Sequence, residues 1–334
     1  MAAATLASTT IPVVREFATM TFGLGMNIGG LMGMLDGKVV IVTGAGRGLG
    51  RSHALLMAQE GASVVVNDLG GEWDGTGADS WAASEVAEEI TGFGGRAVAN
   101  FSDVADWEGA QHMINQAIET YGRLDVLVCN AGFVRDRTVF NMTEGEWDDV
   151  IRVHLKGHFV PTRWAAAYWR ERFKETGEPV SGRIIYTASE AGLFGNPGQP
   201  NYSAAKAGIA ALRLVVAREM KRYGVTCNTI NPRARTRMTL NTFGAERLTS
   251  PEGEFDVNDP DNVAPWVAYL ATDHAGDITG QTFVCVGDQV QLMETWHRVG
   301  RIRKGKDRWT VAELAEARNE LFGDRAPTIG KFGM

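Results

Sequence analysis

Two hydrophobic rhythms alternate along the chain. Short unbroken apolar runs occupy Gly37–Thr43, Ala62–Asp68, Leu124–Cys129, Gly182–Ser189, Val225–Ile230 and Thr282–Val286. Runs of this length, rich in Val and Ile and bounded by turn residues, predict strands buried on both faces. A shorter strand is predicted at Ala97–Phe101. Between the runs, apolar residues recur at three- and four-residue steps, as in Ile209, Leu212, Val215, Val216 and Met220. That spacing predicts amphipathic helices: from the glycine turn at 44–50 to about Glu60, then Ser80–Gly92, Trp107–Tyr121, one or two helices over Glu144–Phe173, then Tyr202–Tyr223 and Asp261–Thr272. Strand and helix in strict alternation imply an α/β fold, a doubly wound parallel sheet with helices on both sides. The pattern fits a single domain over residues 35–287, with extensions at 1–34 and 288–334. Residues Asn231–Asn258 leave the rhythm and read as irregular. Trp309–Leu321 reads as a helix with Leu314 and Leu321 on one face, either covering a cleft or a neighbouring subunit or standing in solvent.

Composition narrows the classes. The 334 residues are 44% hydrophobic and 22% charged, enough for one large core. A net charge of -7 argues against nucleic acid, whose phosphates need a basic surface. Cys129, Cys227 and Cys285 lie far apart in apolar runs without metal-ligand spacing, so no metal is expected and a reducing, cytoplasmic setting fits. Phe17–Leu35 is uncharged but holds five glycines, too interrupted for a membrane helix. It reads as a flexible extension or as an apolar arm for a partner subunit or a membrane surface.

The first strand runs into Gly44-Ala45-Gly46-Arg47-Gly48-Leu49-Gly50, and a helix follows. Strand, glycine turn and helix together bind pyrophosphate: glycine lets the backbone approach, and the helix N-terminus offers N–H groups and a positive dipole end. Asp68 ends the second strand eighteen residues after Gly50, where a carboxylate can take the adenosine ribose hydroxyls. A Rossmann-type dinucleotide site is therefore expected. Tyr202 and Lys206 stand four apart at the start of a helix and share a face. A fixed cation there is expected to lower the phenol pKa. Ser189 closes a buried strand thirteen residues earlier, so a strand-end hydroxyl and the Tyr/Lys pair can meet at one oxygen.

In order and spacing, Thr43-Gly44-x-x-x-Gly48-x-Gly50, Asn130-Ala131-Gly132, Ser189 and Tyr202-x-x-x-Lys206 resemble the short-chain dehydrogenase/reductase family over about Leu35–Gly287. Strings such as Val66-Asn67-Asp68-Leu69-Gly70-Gly71, Arg135-Asp136-Arg137 and Arg152-Val153-His154-Leu155-Lys156-Gly157 are similar to the (3R)-hydroxyacyl-CoA dehydrogenase domains of peroxisomal multifunctional enzymes type 2 and their bacterial relatives. The resemblance implies an oxidoreductase in which Tyr202 carries the proton, Ser189 orients the reacting oxygen and Lys206 holds the nicotinamide ribose. It implies that Gly44, Arg47, Gly48, Leu49, Gly50, Asp68, Asp103, Val104, Asn130, Ala131, Gly132 and Thr236 bind the cofactor, with Asp103 at the adenine and Thr236 at the carboxamide. Asp68 favours NAD over NADP, although Arg47 suits the latter. Three residues depart from the family pattern: His154 replaces the usual asparagine, Arg233 follows Pro232 in place of glycine, and Glu190 follows the serine. His154 either supports a proton-relaying water or is a packed core histidine.

The resemblance further implies a bulky lipid-like substrate, foremost a 3-hydroxyacyl-CoA, under a lid at Asn231–Asn258. Arg233, Arg235 and Arg237 suit CoA phosphates unless they pair with acids such as Glu246 or Glu252, and Met238, Leu240, Phe243 and Leu248 suit an acyl chain or sterol. A free hydroxysteroid, NADPH-dependent reduction of a 3-oxoacyl group, or a non-catalytic nucleotide-binding role are the alternatives. A homodimer or homotetramer, paired through the helices at Glu144–Phe173 and Tyr202–Tyr223, is expected.

Overall fold

A computed structural model describes residues 33–328, except 73, 78–80, 244–247, 252, 295 and 327 and the side chains of 241–243. The N-terminal arm, Phe243, Glu246 and Glu252 thus lie outside the described residues. In chain order the elements are β1 (Val39–Thr43), α1 (Gly48–Gln59), β2 (Ser63–Asn67), α2 (Trp81–Gly92), β3 (Arg96–Asn100), α3 (Trp107–Tyr121), β4 (Val126–Cys129), α4 (Glu144–Ile151), α5 (Gly157–Thr176), β5 (Gly182–Thr187), α6 (Glu190–Phe194), α7 (Pro200–Met220), β6 (Val225–Arg233), α8 (Arg237–Phe243), α9 (Ala264–Ala271), β7 (Thr282–Val286), β8 (Gln289–Met293), α10 (Val311–Glu316) and α11 (Arg318–Phe322). A π-helical segment, Arg152–Lys156, joins α4 to α5.

The strands are rich in branched residues because the sheet is covered on both faces. Alternation along β1 shows this directly. Val40 and Val42 join one core with Ala54, Met57, Val86 and Val267, from α1, α2 and α9. Val39 and Ile41 join the other with Met113, Ile114, Trp169 and Ile209, from α3, α5 and α7. The sheet order is β3-β2-β1-β4-β5-β6-β7-β8. All pairings through β7 are parallel, with Ile41 opposite Val65 and Leu127. Strand order reverses between β1 and β4, which opens a crevice at the strands' carboxyl ends.

The structure adds several features to the sequence expectation. The strand β8 pairs antiparallel with β7 inside the segment assigned to the C-terminal extension, and its residues are mostly exposed. It lacks the apolar run of the inner strands because it sits at the sheet edge. The helix expected at Trp309–Leu321 is two short helices, α10 and α11, with Leu314 and Leu321 both exposed. The irregular stretch after β6 also contains α8.

Candidate active site

The cleft at the strand-order reversal has a volume of about 340 Å³. Its nucleotide end is built from backbone. Gly44 takes φ +65°, and a Cβ there would sit 2.7 Å from the Ala131 Cα, so only glycine lets the turn touch the strand-end loop. No side chain caps α1, which leaves its first N–H groups facing the cleft. Asp68 accepts from the Gly46 amide at 2.8 Å and the Gly70 amide at 2.7 Å, so the carboxylate is held at the rim between the turn and the end of β2. Asn130 donates through Nδ2 to the carbonyls of Thr43 and Gly44 and through its amide to the Thr43 hydroxyl, locking β4 to the turn. Asp103 accepts from Arg152 at 2.7 Å and from the Ala105 amide. Arg47, Gly48, Leu49, Val104, Ala131, Gly132 and Thr236 also line the cleft. Gly50 does not. A Cβ there would lie 2.0 Å from the Gly44 carbonyl oxygen, so this glycine closes α1 against the turn.

The Tyr202 end lies where β5 and α7 meet. Ser189 caps α6, its Oγ accepting from the Ala191 amide at 3.2 Å, and its hydroxyl is near enough to the Tyr202 phenol to act on that group's pKa. Burial pushes the Tyr202 pKa up to about 12; the Ser189 hydrogen bond pulls it down and the Asp136 charge pushes it up. The expectation that Lys206 depresses this pKa is not met in this structure. The Lys206 ammonium is buried, donates to the Thr187 carbonyl at 2.6 Å and stands 5.4 Å from the Tyr202 ring centroid. Burial pushes its own pKa down to about 7. Lys206 is taken out of water, Tyr202 is half-buried, and for both the penalty for charge in the interior is the largest cause of the shift.

His154 is buried on the π-helical segment. Its Nε2 lies 2.7 Å from the Phe133 carbonyl oxygen, the donor tautomer favoured by that short contact, and its ring meets Tyr202 edge-on at 5.1 Å and 88°. Burial and the Lys206 charge hold its pKa well below the usual range, so it stays neutral. Pro161 has no N–H for the Gly157 carbonyl, and the regular helix resumes at Gly157 only after the π turn has thrust His154 inward. The imidazole therefore stands as a packed wall of the cleft.

The three lid arginines follow the ion-paired alternative. Arg233 pairs bidentately with Glu190, Arg235 with Asp256 at 2.6 Å and Arg237 with Glu72 at 3.0 Å. All three guanidinium groups are engaged, and with acids other than Glu246 or Glu252. A paired guanidinium is a poorer phosphate ligand, because binding must first break the ion pair. Met238 does line the cleft, whereas no described residue beyond Thr239 does, so α10 and α11 do not cover it.

Sequence reasoning missed several cleft residues. Phe133, directly after Asn130-Ala131-Gly132, packs under Gly75, where a Cβ would meet its ring at 2.6 Å. Arg135 lies over the Phe133 ring and bonds Asp149 at 2.6 Å and the Asp74 carbonyl at 3.1 Å. The position of Phe133 immediately after the motif was the available signal. The cross-chain partners carried none.

Comparison with known proteins agrees with this geometry. A family model described as short chain dehydrogenase matches residues 38–246. The chain is 45% identical over 298 residues to the hydroxyacyl-CoA dehydrogenase ChsB1 of Mycobacterium tuberculosis, covering 88% of this chain and 91% of that protein. It is 45% identical over 287 residues to the peroxisomal multifunctional enzyme type 2 of Mus musculus, covering 85% of this chain but only 35% of the longer enzyme. A crystal structure of a short chain dehydrogenase from Mycobacterium avium superposes with a TM-score of 0.79 at 50% identity, covering 90% of this chain and all of that one. Likeness of this extent, on a sheet of the matching topology and a site assembled from the family's motif residues, makes the chain a member of the short chain dehydrogenase family and an oxidoreductase.

Proposed function

We propose that the chain transfers a hydride between NAD(H) and the secondary alcohol or ketone of a 3-hydroxyacyl-CoA with a bulky, lipid-like acyl group. The observation that carries this reading is Tyr202 beside the buried Lys206 and near Ser189, at one end of a cleft whose other end is an uncapped helix N-terminus. The donor set fits a dinucleotide. The first turn of α1 suits the pyrophosphate. Asp68 suits the ribose diol and repels a 2′-phosphate. The Lys206 N–H bonds not given to Thr187 suit the nicotinamide ribose.

When bound, the nicotinamide supplies or accepts the hydride. Ser189 orients the substrate oxygen. Tyr202 takes the alcohol proton in oxidation and returns it in reduction. Lys206 is expected to favour the phenolate only once substrate and cofactor complete its hydrogen bonds. The acyl-CoA class rests on the names of the relatives and on the apolar cleft residue Met238. Pairing of two or four copies through α5 and α7 would cover the exposed Phe159 and Val215. The three buried cysteines suit a reducing, cytoplasmic compartment, and no described helix is long and apolar enough to cross a membrane.

The test is Tyr202→Phe. Turnover of 3-hydroxydecanoyl-CoA should fall by about 10²–10⁴-fold while NAD affinity stays within about twofold. Near-normal turnover would overturn the assignment. A kcat/KM for NADP(H) equal to that for NAD(H) would show that Arg47, which also lines the cleft, outweighs Asp68.

A further inference from the structure

The string Arg135-Asp136-Arg137 has no role in the chemistry above. The segment leaves β4 and runs along the start of α7. The Gln199 amide donates to both carboxylate oxygens of Asp136, at 3.0 Å each. Gln199 is only 7% exposed and immediately precedes Pro200, the first residue of α7. Its Oε1 accepts from Asn196 at 2.9 Å, and the Arg137 amide donates to the Gly198 carbonyl at 2.8 Å. The fully buried Asn201 donates to the Arg135 carbonyl at 3.0 Å and the Glu146 carbonyl at 2.9 Å, while its Oδ1 accepts from the Tyr202 amide at 2.7 Å. Arg135 and Arg137 are themselves tied to Asp149 and Glu146. Every residue from Gly198 to Tyr202 except Pro200 is thus bonded to this segment directly or through one neighbour.

We propose that Asp136 is a positioning residue for Tyr202: through Gln199 its carboxylate fixes the first turn of α7, and the same carboxylate acts electrostatically on the phenol. Asn201 ties the turn to the Arg135 and Glu146 carbonyls, and Asp136 ties it through Gln199. The groups facing Tyr202 are the Ser189 hydroxyl from the start of α6, Lys206 one turn along α7, His154 from the π-helical segment, and Asp136. Glu190, next to Ser189, is taken up by Arg233. His154 stays neutral. After burial, the Asp136 charge is what raises the phenol pKa, and the Ser189 bond opposes it. A negative neighbour disfavours phenolate, so Asp136 keeps Tyr202 protonated to higher pH.

The inference rests on Tyr202 being the acid/base, and three variants of the full chain separate the two ideas. Each is assayed for kcat and KM with NAD and racemic 3-hydroxydecanoyl-CoA across pH. Asp136→Asn keeps an oxygen for Gln199 and removes the charge. Its plateau kcat should stay within about twofold, while the rise of kcat with pH moves to lower pH by roughly half a unit, the scale of one partly screened charge. Gln199→Ala keeps the charge and breaks the grip. Its kcat should fall about tenfold at little-changed KM, with the pH limb unmoved. Tyr202→Phe should lose turnover. An unmoved limb in Asp136→Asn, or a limb in Gln199→Ala that shifts equally far, overturns the proposal alone. An active Tyr202→Phe removes the acid/base assignment and the proposal together.

Discussion

Gly132 is the third residue of Asn130-Ala131-Gly132, and the structure gives it a sharp steric reason. A Cβ at this position would lie 2.1 Å from His154 Cε1, 2.7 Å from Nδ1 and 2.9 Å from Nε2. The first distance falls more than an ångström short of ordinary contact. The imidazole has no easy retreat, because it is bonded to Phe133, carried by a π turn and set against the Tyr202 ring. Gly132→Ala therefore overpacks a rigid site. The expected cost is about 1–3 kcal/mol, a Tm drop of roughly 2–10 °C. Any relief pushes the imidazole onto Tyr202, and a shift of about an ångström there lowers kcat by about a hundredfold. The assay is thermal unfolding together with steady-state oxidation of an acyl-CoA alcohol. A double-mutant cycle isolates the contact: His154→Asn in the Gly132→Ala background should recover much of the lost stability, since the smaller side chain vacates the space. Wild-type stability and turnover in Gly132→Ala, or no coupling between the two substitutions, would refute the reasoning.

Lys206 should make stability depend on pH. Its folded pKa of about 7 lies below its ordinary 10.5, so between those values the unfolded chain binds the extra proton and stability rises with pH. Lys206→Met should then stabilise the cofactor-free chain more at about pH 6 than at about pH 10, read as urea midpoints; equal effects would contradict the buried ammonium. Asp68→Asn should keep an acceptor for Gly46 or Gly70 and lose the repulsion, raising the NADP(H)/NAD(H) ratio of kcat/KM by about tenfold or more; an unchanged ratio would show that another group sets the preference. Arg235→Ala breaks the pair with Asp256 and should cost about 1 kcal/mol in a chemical denaturation curve, with KM for an acyl-CoA nearly unchanged; a large rise in KM would restore this arginine as a phosphate ligand.

The inner strands and their partner helices were legible in the sequence because a doubly covered parallel sheet needs unbroken Val- and Ile-rich runs. The helix α3 and the strand β7 fall at the predicted ends. Edge strand β8 was not legible, since most of its residues face solvent and no apolar run marks it. The choice between one and two helices over Glu144–Phe173 was left open, because a π turn leaves the apolar spacing of the flanking helices intact.

Local motifs with fixed spacing made three features legible: the strand-turn-helix suited to a dinucleotide, the acid at the end of β2, and the Ser189, Tyr202 and Lys206 set. What those groups experience depends on the packed fold. Spacing put Lys206 one turn from Tyr202, but burial, not proximity, governs both pKa values. Composition marked Arg233, Arg235 and Arg237 as a basic edge, but Glu190, Asp256 and Glu72, distant in sequence, neutralise it. The grip of Asp136 on Gln199 spans 63 residues. The physical reason is common to all three: a group's charge state and its availability depend on what surrounds it in space, and those neighbours come from elements that only the packed sheet brings together.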